Sequence, residues 1–194
     1  MSEFNLASQA YDYASKNQKE CVKSIPKALI DKEEKIEKRL NKAKASNFRK
    51  LEMIYELQDS LSESISKYTP CKKGCSACCH YNINVSVLEV DYIEKMTGHQ
   101  RRPELAPSEN FLGKPCPFLI GNACSIYEFR PFACRRHHAL TEDAYWCATE
   151  RCFEHSFPLI GFSGLEEGFK RLVSEHSPLT GFKDIRQYYG TPRK

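Results

Sequence analysis

A dense cysteine cluster constrains this chain more than any other feature. The segment CKKGCSACCH, residues 71–80, holds four cysteines within nine residues, and nine of the ten cysteines lie between Cys71 and Cys152. Thiolates that converge so closely repel one another unless a cation neutralises them, and zinc and iron–sulfur clusters are both held by cysteine sulfur. The segment therefore predicts a local metal site.

The N-terminal sequence bears on the compartment. MSEFNLASQAYDYASK has neither the basic nor the apolar region of a signal peptide, and no apolar run approaches the roughly 18 residues of a membrane span. We expect a cytoplasmic protein with no membrane association. In a reducing compartment, clustered cysteines indicate metal ligation rather than disulfides.

The charge distribution argues against a polyanion as partner. The net charge is +4, and residues 1–70 carry 13 basic against 11 acidic residues, which leaves 16 against 14 for the rest. Each part is therefore +2, and neither forms a polybasic arm. This distribution disfavours nucleic acid as a partner.

The N-terminal region, residues 1–70, reads as helical. Between Leu6 and Tyr68 there is no glycine and one proline, Pro26, which suits a first helical turn. Two apolar series with helical spacing predict two amphipathic helices that pack as a hairpin, and a shorter helix could precede Pro26. The alternative is a coiled-coil surface for a protein partner, which the small number of heptads disfavours. Cys21, alone here, is expected to be a passive thiol. The two series are Leu29, Ile36, Leu40 and Ala43, and Leu51, Ile54, Gln58, Leu61, Ile65 and Tyr68.

The second region, residues 71–155, combines cysteines with short ordered elements. Ile83 and Val85 alternate as in a strand, and Ser86 precedes Glu89 by the spacing of a capping box, so Glu89 is expected to cap a helix rather than to act in catalysis. That helix should end at Gly98. CPFLIGNACSIY, residues 116–127, predicts two short strands joined at Gly121 and Asn122.

The turn of this β-hairpin decides where two cysteines point. A two-residue turn would place Cys116 and Cys124 on opposite faces, because side chains alternate along a strand. A bulged three-residue loop would return both to one face. Either the loop is bulged or the cysteines serve two sites.

The third region, residues 156–194, contains one more predicted helix. SGLEEGFKRLVSEH reads as a capped helix with Leu165, Phe169, Leu172 and Val173 on one side, and the aromatic remainder could dock or fray. The fold class is therefore mainly helical α+β. It joins an N-terminal helical hairpin to a small, cysteine-rich, metal-organised domain that contains a short β-hairpin.

The full cysteine pattern is similar to that of a known family. C-x3-C-x2-C-C, then CPFL, then CSIYEFRPFACR resembles the YkgJ-type cysteine-cluster family, a zinc- or iron-chelating domain. A related module occurs in flagellin lysine-N-methylases. The resemblance covers residues 71–135 and implies a chelating set that Cys147 or Cys152 completes. The implied set is Cys71, Cys75, Cys78, Cys79, Cys116, Cys124 and Cys134.

Other residues of these motifs have structural interpretations. Tyr127, Arg130 and Pro131 could shape a substrate site, but a guanidinium that braces the centre through backbone carbonyls is the favoured interpretation. His137 and His138 follow Cys134 closely enough to ligate a metal. C-x3-C-x2-C also occurs in radical enzymes that use S-adenosylmethionine, yet the strand–helix repeat of their barrel is missing after Cys79.

The sequence therefore predicts a cytoplasmic metal-binding protein that holds zinc or an iron–sulfur cluster, and the cysteine spacing slightly favours the cluster. One alternative is an iron–sulfur enzyme or accessory protein with a redox or protein-modifying role. Another is a metal-stabilised adaptor that binds a protein partner through its N-terminal helices. No catalytic triad, carboxylate pair or phosphate-binding loop names a reaction, so enzymatic activity stays open.

Overall fold

Helices dominate the computed structural model, which describes residues 3–191. Within that range lie eight α-helices and four short strands, which confirms a mainly helical α+β fold. The helices are α1 (Glu3–Ser24), α2 (Lys27–Glu34), α3 (Ile36–Lys42), α4 (Asn47–Ser64), α5 (Val87–Thr97), α6 (Phe132–Arg135), α7 (Ser163–His176) and α8 (Ile185–Tyr189). The strands are β1 (Asn84–Val85), β2 (Leu119–Ile120), β3 (Ala123–Cys124) and β4 (Lys183–Asp184).

The N-terminal region is helical as predicted, with different boundaries. The helix before Pro26, α1, has 22 residues and is therefore not the shorter helix that was expected there. Pro26 occupies the N-cap position of α2, but the predicted helix through Ala43 is divided in two at Lys35, whose backbone (φ −103°, ψ 3°) leaves the helical region. Helix α4 begins after Ser46, whose hydroxyl accepts a hydrogen bond from Arg49 N.

The first hydrophobic core joins the two ends of the chain. The apolar series of α3 and α4 are buried, with Leu51, Ile54 and Leu61 fully so. Helix α7 packs against both α3 and α4, so the predicted hairpin gains a third helix from the C-terminal region. These helices are amphipathic, and none between residues 3 and 191 has both the length and the apolarity needed to cross a membrane.

The start of α7 corrects an expectation about capping. The residue before the helix is Phe162, which makes no capping hydrogen bond with its side chain. The carboxylate of Glu33 on α2 instead accepts a hydrogen bond from Leu165 N at 3.1 Å, and Glu33 is itself buried. A tertiary contact therefore takes the place of a local cap.

Helix α5 lies between two cores. Its capping box is confirmed, and it ends at Gly98 in the left-handed conformation (φ 75°). Leu88 and Tyr92 join the first core, whereas Val90 and Ile93 join a second one. We call this second core the cysteine-side cluster; its other buried members are Ile83, Val85, Cys116, Phe118, Ile126, Ile185 and Tyr188.

The C-terminal segment docks rather than frays over the residues that the structure describes. Strand β4 pairs antiparallel with β1, with Asn84 opposite Asp184. Helix α8 follows at once, and its Ile185 and Tyr188 are buried in the cysteine-side cluster. Residues 192–194 of the predicted tail lie outside the described range. The predicted division of the chain into three regions at residues 70 and 155 stays a prediction. Both hydrophobic cores contain residues from more than one of these regions.

Candidate metal centre

The first cysteine segment forms a loop followed by one turn of 3-10 helix. Gly74 adopts φ 94°, which favours glycine, and Cys75 N donates to Lys72 O at 2.9 Å. The 3-10 turn covers Ala77–His80 and so includes both Cys78 and Cys79. Local backbone hydrogen bonds thus fix the conformation of the segment that carries these thiols.

The β-hairpin supplies two further cysteines and corrects a geometric expectation. Its turn has two residues, since Leu119 pairs with Cys124 and Ile120 with Ala123. Cys116 and Cys124 nevertheless line the same cavity. Strand alternation does not reach Cys116, because its carbonyl accepts from Leu119 N at 3.0 Å and so closes a turn before the strand. The inference that an unbulged turn separates these two cysteines was wrong.

Cys134 comes from α6, a helix of four residues. Pro131 precedes the helix, and Phe132 N donates to Glu89 Oε1 at 2.8 Å. Glu89 is fully buried and also caps α5, which confirms its predicted role as a cap. One carboxylate therefore orients two helices, one of which carries Cys134.

Seven of the nine predicted cysteines line one cavity of about 440 Å³. They come from the first cysteine segment, the hairpin and α6, which are separated along the chain. His137 and His138 also line this cavity. The seven are Cys71, Cys75, Cys78, Cys79, Cys116, Cys124 and Cys134.

Cys147 and Cys152 do not line the cavity, and both interact with Tyr81. Cys147 ends a 3-10 turn, and its carbonyl accepts a hydrogen bond from the Tyr81 hydroxyl at 2.6 Å. The thiol of Cys147 is within electrostatic range of Cys71, Cys75 and Cys78. Cys147 therefore lies near these thiols although it does not line the cavity.

The cluster is electrostatically unfavourable for free thiolates. All ten cysteines are free thiols. Burial and neighbouring thiols raise the pKa of Cys116 to about 11 and that of Cys147 to about 12. Burial likewise raises the pKa of Cys134, and a hydrogen bond to Cys79, followed by burial, raises that of Cys78. A bound cation would reverse this preference, because a coordinating thiol is deprotonated.

The thiols are gathered but not arranged for ligation. Among residues 3–191, no three His, Cys, Asp or Glu side chains stand close enough together to hold a metal ion. Ligation would therefore require these groups to move closer together. The donor chemistry fits a soft metal, since the cavity brings together many sulfur ligands.

Two arginines brace the backbone around the cavity. Arg130 donates to Tyr127 O at 2.8 Å and stacks over the Tyr127 ring at 4.0 Å. Arg135 is buried, donates to Arg130 O at 2.8 Å and lies over Tyr55. Both guanidiniums pair with Asp59 of α4. These contacts agree with the bracing interpretation of Arg130, and they show Asp59 and Arg135 as supports that the motifs alone did not identify.

Arg186 is the most important residue that the sequence did not reveal. It is fully buried and donates to three backbone carbonyls, those of Cys79 (3.1 Å), Lys114 (2.6 Å) and Pro115 (3.1 Å). Its charge is balanced by Asp184 at 3.0 Å. Arg186 therefore links the backbone of Cys79 to that of the two residues before Cys116. The available signal was the capping-box spacing of Asp184 and Gln187, which indicates an ordered segment.

The two histidines at the cavity are neutral bases. Burial lowers the pKa of His138 to about 4 and also lowers that of His137. His138 Nε2 shares a hydrogen bond with Ser62 Oγ at 3.0 Å, while the His137 ring meets Tyr81 edge to face. His137 and His138 thus contact protein groups at the cavity wall.

Comparison with known protein families gives a match over the cysteine-rich region. Residues 70–153 match a family model, CxxCxxCC, described as a "Putative zinc- or iron-chelating domain". The matched range contains all nine clustered cysteines. Searches of curated proteins and of solved structures found no match.

Proposed function

We propose, from the match of residues 70–153 to the CxxCxxCC family model, that this chain is a metal-chelating protein. The observation that carries the proposal is the single cavity lined by seven cysteines from three segments. A shared cation would stabilise these thiols as thiolates, which repel one another when they converge without one.

The donor set favours zinc or iron. Sulfur ligands select zinc and iron–sulfur clusters over magnesium and calcium, which require oxygen. The cavity cysteines, with Cys147 beside them, would hold the metal, which would supply the positive charge that their thiolates lack. The spacing of Cys71, Cys75 and Cys78 slightly favours an iron–sulfur cluster, and the compartment is proposed to be the reducing cytoplasm.

The role we propose first is structural. The segments that carry the cysteines contain only short helices, strands and 3-10 turns. Structural zinc contributes about 10–16 kcal/mol in small peptides, so metal binding can determine whether such a region folds. The protein's own residues, Arg186, Arg135 and Glu89, would position the backbone that presents the thiols.

A second candidate is an iron–sulfur enzyme or accessory protein. A further cavity of about 360 Å³ lies beside Cys78 and Cys134 and is also lined by Tyr81, Arg136 and His137. A cavity that shares two cysteines with the centre would give a small molecule access to it. This observation supports the second candidate without naming a reaction.

Anoxic purification of the full chain tests the proposal. We expect bound zinc, or iron together with acid-labile sulfide and a brown colour. Cys75→Ser and Cys134→Ser should each lower the metal content and loosen residues 71–152. The matched control is Cys21→Ala, because Cys21 is fully buried in the first core and alanine avoids burying a hydroxyl there. Purified protein with no metal, or full metal content in both serine variants, would contradict chelation.

A further inference from the structure

We propose that a basic groove at the junction of α2 and α3 binds an acidic segment of a protein partner. This inference goes beyond the chelating function and does not depend on it. The basic groove has a volume of about 550 Å³ and lies in the N-terminal region. The residues that line it are five basic side chains and one acidic side chain: Asp31, Lys32, Lys35, Lys38, Arg39 and Lys42.

The break between α2 and α3 gives the groove its shape. The last turn of α2 and one side of α3 form its walls, and Lys35, where the two helices separate, lies between them. A straight helix presents a convex surface along its whole length, so a concave surface here depends on the interruption at Lys35. The break therefore shapes the surface of the protein as well as dividing the helix.

The basic side chains of α3 lie on the side of the helix that faces solvent. Consecutive residues are about 100° apart around a helix axis, so Lys38, Arg39 and Lys42 fall within an arc of about 100°. All three are exposed. Ile36 and Leu40 are buried on another side of the helix, where α3 packs against α7. The packing that holds α3 in place therefore leaves its basic side free for a partner.

The protein leaves the charges of the groove uncompensated. Over the part of the chain that the structure describes, none of the five basic side chains forms an ion pair. Glu37, the acidic residue of α3, pairs instead with Arg171 of α7. Asp31 supplies one carboxylate against five cations, which leaves an excess of four positive charges. An acidic partner would supply the missing counter-charges.

The composition of the groove favours carboxylates over nucleic acid. Four of its five cations are lysines, which act as point charges on flexible chains, whereas the planar fork of arginine is better matched to phosphate. Among the described residues, no aromatic side chain lines the groove, so a base has no ring on which to stack. The carboxylate of Asp31 would repel a compact group of phosphates. Carboxylates spaced along a peptide can each meet one lysine instead.

Fluorescence anisotropy with a labelled octaglutamate peptide and the full-length protein as purified tests the inference. We expect binding at about 50 mM salt that weakens by about tenfold at about 300 mM, because salt screens exposed charges. The groove variant Lys35→Gln/Lys38→Gln/Lys42→Gln should weaken binding by about tenfold at the lower salt concentration, as expected from the loss of three exposed ion pairs.

The matched control is Lys16→Gln/Lys19→Gln/Lys23→Gln on α1, which removes the same number of charges from lysines that do not line the groove. All six lysines are exposed and glutamine is a good helix former, so neither variant should lose helix content by circular dichroism. The control should keep the affinity of the unaltered chain within about twofold.

Three results would overturn the inference. One is the absence of peptide binding by the unaltered chain at the lower salt concentration. Another is an equal loss of affinity in the groove variant and in the control, which would show that net charge alone attracts the peptide. The third is a short single-stranded DNA that binds more tightly than the peptide and loses affinity in the groove variant, which would assign the groove to nucleic acid.

Discussion

Glu89 shows how one side chain can support a distant sulfur. Its Oε2 accepts from Ser86 N and Ser86 Oγ, both at 2.8 Å, while its Oε1 accepts from Phe132 N at 2.8 Å and from the Tyr55 hydroxyl at 3.2 Å. Burial raises the pKa of Glu89, and these four donors act in the opposite direction. The carboxylate is tolerated in the interior because four hydrogen-bond donors satisfy its two oxygens.

Glu89→Gln should lower the free energy of unfolding by about 1–3 kcal/mol, because an amide places one N–H against donors that need an acceptor. Urea denaturation of the metal-loaded protein measures this loss. Glu104→Gln, at an exposed loop position, is the control and should change stability by less than about 0.5 kcal/mol. Equal stabilities for the two variants would show that the hydrogen bonds to Glu89 contribute little.

Arg186, near the C-terminus, likewise supports the backbone that carries a cysteine. Arg186→Lys keeps the charge but cannot span three carbonyls and Asp184, so we expect a loss of about 2 kcal/mol and weaker metal retention. Thermal unfolding and metal content measured together check this. Arg49→Lys on the exposed face of α4 is the matched control. Unchanged metal retention in Arg186→Lys would argue that the docked C-terminal segment does not position the cysteines.

At the scale of elements, the contact between α2 and α7 depends on a glycine. A Cβ on Gly164 would lie 2.6 Å from Glu33 O and 3.1 Å from Glu33 Oε1, the group that caps α7. A Cβ on Gly168, one turn later, would meet Leu40 Cδ1 at 3.3 Å and Ile36 Cγ2 at 3.5 Å. The first neighbour is backbone and the second is a flexible side chain, so the two positions differ in tolerance.

Gly164→Ala should destabilise the protein by about 1–3 kcal/mol, because the clash pushes α7 away from its cap. Gly168→Ala should be close to neutral, since a helix-propensity gain of about 1 kcal/mol offsets a modest repacking cost. Chemical denaturation of both variants makes the comparison. A larger loss for Gly168→Ala than for Gly164→Ala would reverse the assignment of the close contact.

At the scale of the whole molecule, metal binding is coupled to protonation. The buried thiols are protonated at neutral pH, because burial and neighbouring thiols raise the pKa of Cys116 to about 11 and of Cys147 to about 12. A metal binds the thiolate, so each ligand releases a proton. Raising the pH toward these pKa values must therefore strengthen binding, and lowering it must weaken binding.

We expect the affinity for Zn²⁺ to fall between about pH 8 and about pH 6.5, by about tenfold per pH unit for every proton released. Competition with a chromophoric chelator across this range measures the slope. Cys134→Ser should reduce the slope, since it removes one titrating ligand, while Cys21→Ala should leave it unchanged. An affinity that does not vary with pH would contradict ligation by these protonated thiols.

The sequence by itself determined the features that depend on neighbouring residues. Apolar steps of three and four residues are enough to define α4 and α7, because a helix buries one stripe of side chains. Ser86 and Glu89 define the start of α5 through hydrogen bonds that span three residues. The cysteine spacing likewise identified the chelating segment that the family match supports.

Only the tertiary structure decided which distant groups meet. The cap of α7 comes from Glu33, the support of Cys79 comes from Arg186, and Asp59 of α4 pairs with two arginines near Cys134. The common cavity of Cys116 and Cys124 depended on a turn that interrupts strand alternation. Local periodicity carries no information about such contacts, because their partners lie far apart in the chain and meet only when both cores have formed.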